Sequence, residues 1–105
     1  MKMIKAIVRP EKEFDVVRGL EKEGFNSMTK LDVLGRGRQK GVQVGSATYD
    51  ELAKLMLILV VEDKDTLRAV KTIEEHARTG NFGDGKIFVS DVKEAYTIST
   101  GKSRL

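Results

Sequence analysis

Residues 55–61 read Leu55-Met56-Leu57-Ile58-Leu59-Val60-Val61, seven apolar side chains without interruption. A strand with one face in water alternates apolar and polar residues, so this run predicts a strand covered on both faces. Upstream, residues 2–9 are rich in Ile and Val and read as a strand. Pro10 follows where a helix can open, because its missing N–H costs nothing there. Phe14, Val17 and Leu20, with Val16 beside them, predict an apolar stripe on a helix over residues 11–23, closed by Gly24. Residues 28–34 read as a second strand, and residues 35–51 hold no long apolar pattern. Downstream, Asp63 or Asp65 is placed to cap a second helix whose stripe is Leu67, Val70, Ile73 and Ala77. Residues 79–85 break that helix, 86–92 read as a fourth strand, and 96–101 as a short extra strand or a tail.

The order is strand, helix, strand, long loop, strand, helix, strand. It predicts an α+β fold of the ferredoxin-like βαββαβ kind, a four-stranded antiparallel sheet with both helices on one face. The 105 residues read as one domain, with a long loop at about 36–53. Two helices cover one face of the 55–61 strand, and nothing left in the chain can cover the other. Copies that bury their sheets against one another satisfy the pattern; the alternative is a strand that is simply central. Forty per cent apolar and 33% charged residues are ordinary for a globular protein, and the absence of cysteine excludes disulfides and thiolate metal sites. The net charge of +3 is mild and local, which favours a binding site over a basic coat. The opening residues are too short an apolar run for a signal peptide, and no run spans a bilayer.

Two glycine clusters stand out. The first is Gly35-Arg36-Gly37-Arg38-Gln39-Lys40-Gly41. Glycine lets the backbone turn sharply or approach another molecule closely, and three clustered cations attract anions. If residues 34–40 run extended, Arg36, Arg38 and Lys40 share one side. Amides near Gly35, Gly37 and Gly41 stay open to phosphate or carboxylate oxygens, and Gln39 offers a neutral oxygen to a metal that also binds phosphates. The same spacing fits a solvated basic turn, or an arginine–glycine arm for nucleic acid. The second cluster is Thr79-Gly80-Asn81-Phe82-Gly83-Asp84-Gly85-Lys86. Asp84-Gly85 is also a tight-turn signal, but Gly80, Gly83 and Lys86 exceed what a turn needs. Gly85-Lys86 is not followed by Ser or Thr, so this is no Walker motif. Two glycine loops, each carrying a base, suggest a phosphorylated ligand held between them. His76, the one histidine, falls inside the second helix at the surface or boundary. No serine–histidine–acid or paired-carboxylate pattern is present, and the chain is not expected to be an enzyme.

These clusters, with Met28-Thr29, Ile87-Phe88-Val89 and Thr100-Gly101, resemble the PII family of nitrogen-regulatory signal proteins from residue 1 to about 101. The resemblance implies a trimer that binds ATP or ADP in the clefts between subunits. It implies that Thr29, Gly35, Gly37, Arg38 and Gln39 line the nucleotide from one side, that Gly83, Asp84, Gly85 and Lys86 hold its phosphates, and that Val60 touches the base. 2-Oxoglutarate then binds through a Mg2+ ion bridging it to ATP, with Gln39 contributing to the metal and Lys54 pairing with a carboxylate. Backbone N–H groups of Gln39, Lys40 and Gly41 complete that pocket, and Arg9 lies near. A dianionic acid joins a polyanionic nucleotide only where a divalent cation and nearby bases offset the repulsion. The bound acid reshapes the long loop, which is the surface a target reads.

The chain departs from the common bacterial pattern in two places. The long loop is shorter, and Tyr49, between Thr48 and Asp50, lacks the context of the tyrosine those members uridylylate, so uridylylation is not expected. Thr97 and Ser99 stand where two arginines usually reach the phosphates, with Lys102 and Arg104 as candidates to replace them. The loop, running Val42-Gln43-Val44-Gly45-Ser46 to Tyr49-Asp50-Glu51-Leu52, looks most like the nitrogen-fixation branch found in methanogenic archaea and some anaerobes. That likeness implies a homotrimer or a hetero-oligomer with a second PII-like paralogue. It implies inhibition of nitrogenase by binding its dinitrogenase component in the cytoplasm when 2-oxoglutarate is low. It implies no nucleic acid, and no membrane unless an ammonium channel is the target. The alternatives are regulation of an ammonium channel or glutamine synthetase, or a ferredoxin-like RNA-binding module. The last needs exposed aromatic residues on its sheet, and the third strand has none.

Overall fold

A computed structural model describes residues 1–36 and 51–105. Among the described residues there are four strands and two α-helices: β1 (Lys2–Val8), α1 (Glu13–Lys22), β2 (Thr29–Gly35), β3 (Leu52–Val61), α2 (Thr66–Ala77) and β4 (Gly85–Asp91). They form one antiparallel sheet in the order β2-β3-β1-β4. This is the predicted ferredoxin-like arrangement. β3 begins at Leu52, two residues inside the predicted loop, because Leu52 and Ala53 pair with Gly35 and Leu34 of β2.

The pairing shows why 55–61 is apolar throughout. Leu55, Leu57, Leu59 and Val61 are buried, and their register partners Val8, Ala6 and Ile4 in β1 share the helix-covered face. Val16 and Leu20 of α1 and Ala69, Ile73 and Ala77 of α2 close this core. The intervening Met56, Ile58 and Val60 point to the opposite face, where no helix lies among the described residues. Their neighbours there are Leu31 of β2, Met3 and Ile7 of β1, and Phe88 of β4. Leu31 is 42% exposed and Phe88 is 52% exposed. Lys5, opposite Ile58 and Phe88, puts a cation within this apolar field, and Lys54 and Lys86 lie at one end of the same face.

Both helix stripes differ from the predicted ones by one residue at the start. Phe14 and Leu67 are exposed. At about 100° per residue, Phe14 stands opposite the line through Val16, Gly19 and Leu20, and Leu67 is similarly displaced from Ala69, Thr72, Ile73 and Ala77. Arg18 lies over the Phe14 ring. Neither Asp63 nor Asp65 makes a side-chain cap. A 3-10 turn over Asp63–Asp65 leads into α2 instead, Asp65 accepts a bond from Arg68, and Asp63 pairs with the N-terminal amine. The two helices pack closely because α1 carries Gly19. A Cβ there would fall 2.7 Å from the His76 ring, whose Nδ1–H donates to the Thr72 carbonyl at 2.8 Å. The 96–101 region forms no strand; Tyr96 bridges Ser103, and the Gly101 N–H closes the turn onto the Thr97 carbonyl at 2.7 Å.

Candidate functional site: a braced glycine loop beside a cationic cleft

The second glycine cluster connects α2 to β4, and its shape follows from its glycines and one carboxylate. Gly83 and Gly85 have φ of 97° and 111°, which side-chain-bearing residues rarely adopt. Gly85 is also under contact pressure, since a Cβ there would lie 1.7 Å from the Ile7 carbonyl oxygen. Asp84, between them, turns inward. It accepts the Thr79 N–H at 2.9 Å, the Thr79 hydroxyl at 2.5 Å, the Gly80 N–H at 2.8 Å and Arg9 Nε–H at 3.1 Å. Burial pushes this carboxyl up, but the Thr79, Gly80 and Arg9 bonds outweigh it and hold Asp84 well below the usual carboxylate range.

Arg9 does a second job: its Nη2 donates to the Phe82 carbonyl at 2.7 Å. Lys54 reaches the next carbonyl, with Nζ 2.6 Å from the oxygen of Gly83. Desolvation, and then repulsion from Arg9, lower the Lys54 pKa, with Glu11 and Asp84 partly offsetting them. The Lys54 stem crosses β2 at Gly35, where a Cβ would sit 2.9 Å from its Cγ. Gly35 is therefore an opening for Lys54 as well as the end of a strand.

These groups line a cleft of about 540 Å³ that also touches Ile7, Arg36, Leu52, Phe82, Lys86 and Phe88. The structure thus brings together Gly35, Lys54, Gly83, Gly85 and Lys86, with Asp84 directly behind them. Thr29 and Val60 lie elsewhere, in a cleft of about 760 Å³ with Glu62, Arg68 and Leu105. Thr29 and Gly35 are the two ends of a seven-residue strand, roughly 20 Å apart. Gly37, Arg38, Gln39, Lys40 and Gly41, and with them the metal role assigned to Gln39, lie outside the described residues, as does Tyr49.

Chemically, the cleft offers cations and backbone amides, which suit a polyanion. Among the described residues no group of three His, Asp or Glu side chains is placed to hold a metal ion. Asp84 is poorly suited as a ligand because its oxygens are already engaged. The sequence reading missed the organising role of Thr79 and the Arg9–Asp84 pair; these residues are 75 apart in the chain, and only the β1–β4 pairing brings them together. Among the described residues no helix is long and apolar enough to cross a membrane.

Comparison with known proteins agrees with this architecture. The family model for nitrogen regulatory protein P-II matches residues 1–102. The chain is 58% identical over the full length of both chains to "Nitrogen fixation nifHD1 region GlnB-like protein 1" of Methanosarcina barkeri. It is 50% identical, again over the full length of both, to "Nitrogen fixation nifHD region GlnB-like protein 1" of Methanothermobacter marburgensis. It is 45% identical to "Nitrogen regulatory protein P-II 1" of Methanothermobacter thermautotrophicus, over 97% of this chain and 92% of that one. A four-stranded sheet with helices on one face, a glycine loop braced against β1 and β3, and a family match across almost every residue lead to one conclusion: the chain belongs to the nitrogen regulatory protein P-II family.

Proposed function

We propose that this chain is a non-enzymatic, cytoplasmic nitrogen-status sensor that binds ATP or ADP together with 2-oxoglutarate and regulates nitrogenase by direct contact. The observation that carries the ligand reading is the braced glycine loop facing Lys54 and Lys86 in one cleft, at the point where the chain enters residues 37–50. Thr29 and Val60 supply a second half-site at the other end of the sheet. A nucleotide held by both halves lies between two copies, and the uncovered apolar sheet face supplies the contact that joins them. Sheets packed this way make the trimer, either of one chain type or mixed with a PII-like paralogue. Gln39 would complete the shell of a Mg2+ ion carried by the phosphates, while Lys54 and the amides of Gln39, Lys40 and Gly41 would receive the acid. The nitrogenase target is supported by the names of the relatives, which tie them to nifHD regions.

Calorimetry of 2-oxoglutarate with and without MgATP tests the ligand reading. Binding is expected only with MgATP; equal binding without it would overturn the metal-bridged site. The target reading is tested by adding the chain, alone and with a paralogue, to purified dinitrogenase in an acetylene-reduction assay. Inhibition relieved by 2-oxoglutarate is expected, and unchanged activity under both conditions would refute it.

A further inference from the structure

We propose that the groove between α1 and α2 docks an acidic protein segment bearing an apolar side chain, with Lys22, Lys64 and Lys71 receiving its carboxylates and Leu67 its apolar group. The groove holds about 590 Å³. Its floor follows from one missing side chain. Gly19 has no Cβ, so α2 comes close enough for the His76 ring to lie against the Gly19 backbone, and the Thr72 carbonyl holds that ring through Nδ1. The walls are exposed residues on either side of this floor.

The core uses none of the residues that give the walls their character. Leu67 opens the apolar series of α2 yet is 66% exposed. A lone exposed leucine is ordinary, but this one lines a concave groove. Lys22, Lys64 and Lys71 line the same groove and make no ion pair among the described residues. Arg68 does, with Glu23 and Asp65. Glu75 is the one other acid of the lining, so unpaired cations outnumber unpaired acids there. A leucine among ammonium groups is complementary to an apolar anchor flanked by Asp or Glu. A nucleic-acid backbone suits the groove less, because Glu75 stands among the cations and Leu67 gains nothing from phosphate. Both helices lie on the side of the sheet away from the face proposed to join copies, so an assembly built on that face leaves the groove open.

The test uses the 15N-labelled full chain and a random glutamate–tyrosine copolymer, with poly-L-glutamate and polyuridylate for comparison. The copolymer should move the amide signals of Gly19, Lys22, Leu67 and Lys71, and poly-L-glutamate, which has no apolar group, should bind more weakly. The double variant Lys22→Glu/Lys71→Glu should weaken copolymer binding about ten-fold, and both positions are exposed, so the fold tolerates the change. Leu67→Ser should weaken binding of the copolymer and leave that of poly-L-glutamate unchanged, a split that a purely electrostatic patch does not produce. No movement of the groove signals, movement confined to Arg36 and Lys86 of the cationic cleft, or undiminished binding by the charge-reversed chain overturns the proposal. Polyuridylate moving the groove signals at a lower concentration than the copolymer also overturns it, by assigning the patch to nucleic acid.

Discussion

Gly85→Ala is the sharpest test of how this loop is built. At φ 111° a side-chain-bearing residue is strained, and the new methyl would stand 1.7 Å from the Ile7 carbonyl oxygen, where real contacts essentially never fall below 3.0 Å. The obstacle is backbone in the central β1 strand, so no rotamer change relieves it. β4 must peel from β1 at its first rung, where Gly85 pairs with Val8. Backbone strain of about 1–3 kcal/mol plus one lost backbone hydrogen bond of about 1 kcal/mol gives a destabilisation of about 3 kcal/mol. Against a total of roughly 5–15 kcal/mol for a domain, that is a large fraction. Gly80→Ala is the matched control, because Gly80 has φ 89° but nothing within 4 Å of its added methyl. It should cost about 1 kcal/mol from strain alone. Urea unfolding at fixed protomer concentration measures both, since association with other copies would otherwise shift the midpoint. Equal losses for the two variants would refute the reasoning, because the difference between them is the contact with Ile7.

Three other outcomes follow from the same structure. Ile58→Asp places a charge at the centre of the helix-free sheet face, so sedimentation velocity should show dissociated copies; an unchanged sedimentation coefficient would mean that this face joins nothing. The low pKa of Asp84 fixes a sign with pH. Its stabilising contribution is fully present above the unfolded value of about 3.9 and is lost as pH falls through its lower folded value, so the stability gap between wild type and Asp84→Asn should be flat from pH 5 to 7 and shrink near pH 3. Gly19→Ala sets a helix-propensity gain of about 1 kcal/mol against a methyl 2.7 Å from the His76 ring; it should destabilise the wild type and stabilise a His76→Ala background, a coupling that a double-mutant cycle reads directly.

The fold was legible because its decisive signals are local. The unbroken 55–61 run, the turn residues around it and the two periodic stretches specify strand and helix without knowledge of distant contacts. Phe14 and Leu67 were misplaced because a series spaced every third residue drifts about 60° per step, so its first member turns away from the face that Leu20 or Ile73 occupies. Asp65, one of the two cap candidates, stands at the N-cap position of α2, but neither its side chain nor that of Asp63 makes a cap bond. Both carboxylates found cationic partners, and a 3-10 turn supplied the helix start. Within the site, the glycines and Lys86 were visible as a string. Gly35 stood in the first glycine string, whereas Lys54 entered through family resemblance, since nothing in its neighbourhood joins it to either string. Arg9 and Asp84 form an ion pair across 75 residues, and no local pattern encodes such a contact.

Among the described residues, Lys54 joins the glycine loop to the end of β2. An ammonium group carries three protons, and Lys54 gives one to the Gly83 carbonyl, leaving two toward the cleft. Its stem lies against Gly35, the last residue of β2 before the chain enters residues 37–50. A phosphate that displaced the Gly83 carbonyl would therefore move the Lys54 head, and the stem would carry that movement to the end of β2. An acid that takes the two remaining protons pulls on the same group from the other side. Two ligands sharing one cation have affinities that cannot be independent, because each changes what the other finds at Lys54. The desolvation that lowers the Lys54 pKa adds to this coupling: a cation held in a partly dry cleft interacts more strongly with each anion than one in open water.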